Sequence, residues 1–258
     1  MIEEEVGISK ERIESILRSQ LSLNKVCSRW IPHVITDANK QKRVELAEQM
    51  LRVLDGGFQN IITGDETWFN FFTVSTKEDN KVWLKSGELR PQIARTSKNS
   101  KKRMFCVFFT VEGVVARIVV PKGQYVTSLY YANTVLPEVF AKFMEISGRR
   151  TVHDVILHHD NASPHKAEVV TSYLKKERVQ LMPHPPYSPD LAPCDFFLFP
   201  RIKKELGGRK FDNVENLARA VQAVSDSIPK DEYYKAFQSW QKRLKHCIEV
   251  GGEYFEGM

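Results

Sequence analysis

Three aspartates stand where they could share a cation. Asp160 and Asp195 have 34 residues between them, and Asp160 follows a short apolar run, Val155-Ile156-Leu157, through His158-His159. A right-handed strand-helix-strand crossover would return a carboxylate at the tip of one strand and another at the start of the helix after the next strand to the same sheet edge. Asp65, in the aromatic and β-branched stretch Ile61 to Val74, completes the set if its strand lies beside the one ending at Asp160. Carboxylate oxygens are hard ligands suited to Mg²⁺, which takes its other ligands from water and substrate phosphates. Two such ions about 3.5–4 Å apart serve phosphodiester cleavage. Spacing by itself does not select these three, because most aspartates are caps, turns or surface charges. His158, His159 and His165 offer a zinc set by residue type, but neighbouring histidines on a strand point to opposite faces, and Zn²⁺ needs convergent ligands.

The elements that must position these acids are read from periodicity. Residues 9 to 22 place Ile13, Ile16, Leu17 and Leu21 at helical spacing behind Ser9 as N-cap. After a break at Arg29-Trp30-Ile31-Pro32-His33, a second helix over Asp37 to Leu54 carries Val44, Leu46, Ala47, Met50, Leu51 and Leu54 on one stripe and stops at Gly56-Gly57. Ile61 to Val74 reads as a strand, and Met104 to Thr110 with Val114 to Val120 as a hairpin. The polar stretch Ser75 to Arg103 between them is too long for an ordinary connection. Ser163 as N-cap and Pro164 as N1 open a helix with Ala167, Val170 and Leu174 on one face. Val179 to Met182 is a further apolar segment, Phe196 to Leu206 reads as a helix kinked at Pro200, and residues 214 to 247 read as helical throughout. Phe196, Phe197 and Phe199 are expected in the core, and Trp68 and Trp83 as core or loop anchors. This order predicts an α/β fold, a mixed sheet flanked by helices.

Composition sets the class. The chain has 258 residues, 42% of them apolar and 27% charged, which describes a folded globular protein and excludes a low-complexity one. Its longest apolar runs, such as Met104 to Val111, fall far short of the ~20 residues that span a bilayer, so no membrane partner is expected. No secretory signal opens the chain, and Cys27, Cys106, Cys194 and Cys247 are scattered without a Cys-x-x-Cys pair; all four are expected reduced, in an intracellular protein. The 38 Lys and Arg exceed the 32 Asp and Glu by six. Arg95, Lys98, Lys101, Lys102 and Arg103 form one basic run, and Arg201, Lys203, Lys204, Arg209 and Lys210 another. Either run could follow a phosphate backbone or be a solvated face.

Thr63-Gly64-Asp65-Glu66-Thr67-Trp68, His159-Asp160-Asn161-Ala162-Ser163-Pro164-His165 and the segment from Pro183 to Asp195 (PHPPYSPDLAPCD) closely resemble, in order and spacing, the signature blocks of the mariner transposases of the Tc1/mariner superfamily. Arg29 to His33 resembles that family's linker block and Gly251 to Gly257 its C-terminal block. The resemblance implies a ribonuclease-H-like catalytic domain over residues 61–258, a linker and helix over 25–60, and over 1–24 the remnant of a second helix-turn-helix unit, the rest of that DNA-binding region being absent. It implies that Asp65, Asp160 and Asp195 are the metal-binding catalytic acids, with Asp190 left as a turn or cap residue. It implies two Mg²⁺ ions, replaceable by Mn²⁺, no small-molecule cofactor, cleavage at terminal inverted repeats, attack of the freed 3′-hydroxyl on TA target DNA, and work in the nucleus. Glu66, His159, Asn161 and His165 adjoin the acids and either bond to ligands and substrate or complete turns. Lys98, Lys101, Lys102, Arg103, Arg201, Lys203 and Lys204 are the candidate DNA contacts. Residues 75–103 correspond to the family's clamp loop, which implies a homodimer formed through that loop and the N-terminal region. Loss of the helix-turn-helix units predicts weakened end recognition, and the alternative is a non-catalytic DNA-binding or dimerisation protein derived from a transposase. A cellular ribonuclease of the same fold is a third reading, disfavoured by the linker and clamp segments.

Overall fold

Alternation along one strand decides the architecture. In the computed structural model, which describes residues 7–23, 31–72, 84 and 101–255, strand β1 (Ile61–Asn70) is buried on both faces over its first four residues. Such a strand needs a covering layer on each side. Ile61 and Phe69 enter one core and Ile62 the other. β1 is the middle of five strands in the order β3-β2-β1-β4-β5. β2 (Lys102–Thr110) runs antiparallel to β1, and β3 (Gly113–Val119) antiparallel to β2, with a register shift between Phe108 and Phe109. β4 (Ile156–His158) is parallel to β1, and β5 (Gln180–Met182) parallel to β4. The sheet is therefore mixed, as expected.

Helices cover both faces. On the side of Ile61, α2 (Asp37–Asp55) packs Ala47, Met50 and Leu54 into the core. α5 (Phe199–Glu205), α6 (Val214–Ser227) and α7 (Lys230–Glu249) complete that layer with Ile202, Leu217, Val221, Phe237, Trp240 and Leu244. On the side of Ile62, α3 (Leu136–Ser147) supplies Leu136, Val139, Phe140 and Phe143, and α4 (Glu168–Lys176) supplies Val170 and Leu174. Each such side chain contributes about 1.5–3 kcal/mol relative to leaving it in water. Met1–Ile31 forms a separate unit from Pro32–Glu256. In it Ser9 caps α1 (Lys10–Ser15) by accepting a hydrogen bond from the Arg12 amide, and the helix continues as a π turn over Ile16–Gln20.

Several boundaries differ from the sequence expectation for local reasons. The helix after Asp160 is two pieces, Ser163–Lys166 and α4, because Ala167 is extended (ψ 147°); its cap is Ala162, and Ser163 is already helical. The 214–247 helix is broken at Ile228-Pro229, since the residue before proline is driven out of the helical region; Ile228 has ψ 122°. The segment expected to kink at Pro200 is helical over residues 193–205, and the turn preceding Pro200, Cys194–Leu198, is wound as a π turn, an irregularity of the kind that accommodates a proline lacking its N–H. Phe199 is buried while Phe196 and Phe197 pack partly buried against the core. Trp68 is 44% exposed, with the Lys102 ammonium 4.5 Å from its ring centre, so it anchors no core. Trp83, Lys98, Cys27 and most of residues 75–103 lie outside the described residues.

Candidate active site

The pairing of β1 with β4 stops at Thr63 opposite His158. Asp65 and Glu66 therefore lie just past the end of the parallel neighbour, at the carboxyl ends of the parallel strands, where open α/β sheets take their ligands. Gly64 makes this approach fit: a Cβ there would lie 2.0 Å from the Phe108 ring. Strand alternation then sends Asp65 and Glu66 to opposite faces. Asp160 follows β4 by two residues, and Asp195 sits in the π turn after β5, its amide donating to the Ala192 carbonyl at 2.9 Å. Asp160 and Asp195 line one cavity of about 450 Å³ together with Asn161, Lys166, His184 and Tyr187.

Electrostatics ties the third acid to these two. Burial pushes the Asp65 carboxyl up, and the charges of Asp195, Glu66 and Asp160 push it further, to about 8. A short bond from the Glu66 amide to Asp65 Oδ1, 2.6 Å, works against this without reversing it. Asp160 behaves oppositely. Burial raises it, but hydrogen bonds from His165 (Nδ1 to Oδ1, 2.8 Å) and the Ala162 amide (2.9 Å) outweigh burial and hold it at about 2. His165, buried, would be depressed by desolvation, yet Asp160 on one nitrogen and Glu66 at 3.4 Å from the other raise it to about 10. The imidazolium thus bridges acids from two separate elements.

Behind this bridge the groups are neutral. His159 is driven down to about 3, first by burial and then by His165, and its Nδ1 lies 2.8 Å from the Tyr131 hydroxyl. His158 contacts Thr63 Oγ1 at 2.8 Å and His184 at 3.0 Å, so it faces a different way from His159. The three histidines considered for zinc do not converge. Asn161 donates to the His184 carbonyl and joins the two loops that bear Asp160 and Asp195.

The donor set suits a hard divalent cation. Oxygen donors dominate, and the Asp65 carboxyl, raised first by burial and then by the charges of Asp195, Glu66 and Asp160, stands in negative charge that a cation would relieve. As the side chains stand, no group of three His, Cys, Asp or Glu residues among the described ones is arranged to hold a metal ion. Asp160 Oδ1 is engaged by His165 and Ala162 instead.

Two participants carry no mark of their own in the sequence reading. His184 lines the cavity and was visible within the block from Pro183 to Asp195. Tyr131, fully buried with its ring 4.3 Å from that of His165, lies in a stretch with no motif to mark it. Of the candidate DNA contacts, Lys101, Lys102, Lys203 and Lys204 are exposed. Arg201 is partly tied to Glu205 and Glu232, and Arg103 is half-buried. Desolvation depresses the Lys203 ammonium against the pull of Asp195 and Asp65, which places it on the acids' side of α5. Asp190 lies in a single turn, Pro189–Leu191, as expected of a turn residue, and its carboxylate in addition meets the buried Arg43.

A sheet with two antiparallel and two parallel pairings, helices on both faces and acids at the ends of its parallel strands defines a mixed α/β domain with an acidic site. Residues 60–218 match the model of the DDE superfamily endonucleases, and the chain belongs to that family. It is 28% identical to the Mariner Mos1 transposase of Drosophila mauritiana over 98% of this chain and 73% of that protein. It is 27% identical to the human histone-lysine N-methyltransferase SETMAR over 99% of this chain but only 37% of that one. Among solved structures it resembles the Mos1 transposase paired-end complex with left transposon end, with a TM-score of 0.83 at 26% identity, covering 98% of this chain and 74% of that one. It also resembles the Mos1 mariner paired end complex with Mn, with a TM-score of 0.82 at 26% identity, covering 99% and 75%. The fold is ribonuclease-H-like.

Proposed function

We propose that the chain is the catalytic part of a DNA transposase that cuts at transposon ends and joins the freed 3′-hydroxyl to target DNA at TA dinucleotides, with Asp65, Asp160 and Asp195 as its acids. The observation that carries this reading is the gathering of carboxylates from β1, the tip of β4 and the turn after β5 at one end of the sheet, close enough for Asp195 and Asp160 to raise Asp65. These three residues would hold two Mg²⁺ ions, or Mn²⁺, which when bound supply charge neutralisation and water activation for phosphodiester chemistry. His165 and the Ala162 amide keep Asp160 ionised and oriented, and Glu66 holds the far side of the His165 ring. His159 and Tyr131 back that ring as neutral partners, and Asn161 fixes the distance between the two acid-bearing loops.

DNA as the partner is supported by the meeting of the two basic runs. The Phe71 amide donates to the Lys101 carbonyl and the Phe211 amide to the Phe71 carbonyl, so Lys101 to Arg103 and Arg209 to Lys210 flank the same end of β1. Lys203 and Lys204 on α5 extend this rim, and a phosphate backbone is the polyanion such a rim suits. Terminal repeats as the DNA, a homodimer formed through residues 75–103 and the N-terminal region, and a nuclear location belong to the same proposal. The reading of a non-catalytic DNA-binding derivative is supported by one observation, the 27% identity over 99% of this chain to SETMAR, a protein named for a different activity.

The deciding experiment is Mg²⁺- or Mn²⁺-dependent nicking and strand transfer at low salt on DNA with pre-cut family-type ends, comparing the chain with Asp160→Ala. Metal-dependent activity that disappears in the variant is the expected result. DNA binding without activity in either protein would establish the non-catalytic reading.

A further inference from the structure

Arg43 of α2 is completely buried, and its ion-pair partner Asp190 is 3% exposed. The guanidinium has five N–H donors, and five acceptors meet them. Nε donates to the Gly252 carbonyl at 2.8 Å, one terminal nitrogen to Ser188 Oγ at 2.6 Å and Asp190 Oδ1 at 2.9 Å, and the other to Asp190 Oδ2 at 2.6 Å and the Glu253 carbonyl at 3.3 Å. The Tyr254 ring covers the guanidinium carbon at 4.8 Å. Three segments remote in sequence therefore close on one side chain: α2, the loop from Pro185 to Pro193, and the chain after α7.

Each contact on the loop side leads toward the cavity. Tyr254 donates its hydroxyl to the Tyr187 carbonyl at 2.6 Å, and Tyr187, a wall of the cavity shared by Asp160 and Asp195, holds a left-handed φ of 53°. A non-glycine residue keeps that conformation only where surrounding bonds impose it. Arg243 of α7 donates to the Asp190 carbonyl at 3.1 Å. From Ser188 a chain of turn hydrogen bonds runs on: Leu191 amide to Ser188, Ala192 amide to Pro189, then the Asp195 and Phe196 amides both to Ala192. Gly252 must be glycine for the closure, since it has φ +84° and a Cβ there would sit 2.2 Å from the Lys40 carbonyl.

A buried ion pair is a weak way to gain stability, because desolvation offsets most of the attraction. Its planar fork does fix direction, which apolar contacts cannot. We infer that Arg43, with Asp190 and the Gly252–Tyr254 strap, is a positioning unit that sets the loop carrying Asp195 and so the metal-binding geometry of the acid. The inference rests on reading Asp195 as a metal-holding acid, and it assigns to Arg43, Asp190 and Tyr254 no contact with substrate.

The test uses the full chain with Arg43→Lys, which keeps the charge and loses the fork, and Tyr254→Phe, which removes the hydroxyl that bonds Tyr187 and the His33 backbone while keeping the ring, and serves if the first variant folds poorly. Amide hydrogen exchange and Mn²⁺ titration calorimetry are read on each. Exchange at residues 187–196 at least ~10-fold faster, with β1 and β2 unchanged, together with Mn²⁺ affinity down about 10-fold or more, is expected. Unchanged exchange in that loop, exchange raised uniformly across the chain, or unchanged Mn²⁺ affinity in the folded variant would overturn the inference. A parent protein that binds no Mn²⁺ would defeat the metal reading instead, and local exchange alone would then decide the role of Arg43.

Discussion

Asp65 and Asp160 are the same residue type at the same end of a sheet, and their surroundings send them in opposite directions. Asp160 has donors on its oxygen and stays ionised, whereas Asp65 has burial and three acids around it. The folded state therefore prefers Asp65 protonated from its ordinary 3.8 up to about 8. Over that interval the unfolded chain carries fewer protons on this group, so stability of the metal-free protein falls as pH rises. Each pKa unit is worth about 1.4 kcal/mol. Asp65→Asn is accordingly expected to raise the melting temperature in EDTA by several degrees at pH 8 and by little at pH 4; equal effects at the two pH values would show that folding leaves the Asp65 carboxyl at its ordinary value. At this scale the three acids were singled out by short motif blocks contiguous in sequence, and the structure brings Asp160 and Asp195 to one cavity with Asp65 in electrostatic reach. The bridging of Asp160 and Glu66 by His165 was not legible in the sequence, since it depends on which face of β1 Glu66 takes and on the break at Ala167.

Elements carried by strong alternation or apolar runs are legible nearly to the residue, β2, β3, β4 and α2 among them. α3 is not among the elements expected from the sequence, although Val135, Val139, Phe140 and Phe143 share one buried face behind Pro137, because no motif marks the stretch. The π turn at Cys194–Leu198 was marked in the sequence only by Pro200, which follows it in the same helical run. Gly64 lies directly against the Phe108 ring of β2, with no room for a side chain. Gly64→Ala puts a methyl inside the ring's volume, and overpacking of this kind costs about 1–3 kcal/mol. Chemical denaturation should show a lower midpoint with unchanged m, while a midpoint equal to that of the parent would mean that Phe108 moves aside freely.

Taken whole, the molecule brings together charges that the sequence could only list. The basic runs lie about a hundred residues apart in the chain, and it is the bridging by Phe71 that sets them along one edge. If that edge holds DNA, replacing Lys101, Lys102, Lys203 and Lys204 by alanine should flatten the plot of log affinity against log salt by roughly 3–4 units, at about 0.9 for each phosphate no longer neutralised. An unaltered slope would place the DNA on another face. A different consequence attends the Arg43 cluster, whose nearest hydrogen-bonded partner is 145 positions away and whose farthest is 210. Ribosomes release a protein from its amino end at about 5–20 residues per second, so Asp65, Asp160 and Asp195 all exist in a growing polypeptide before Gly252 and Glu253 are made. Until then the guanidinium lacks part of its shell, and the loop bearing Asp195 is without its strap. Synthesis order thus acts as a timer: the acids come first, and their alignment waits until Gly252 and Glu253 have been made.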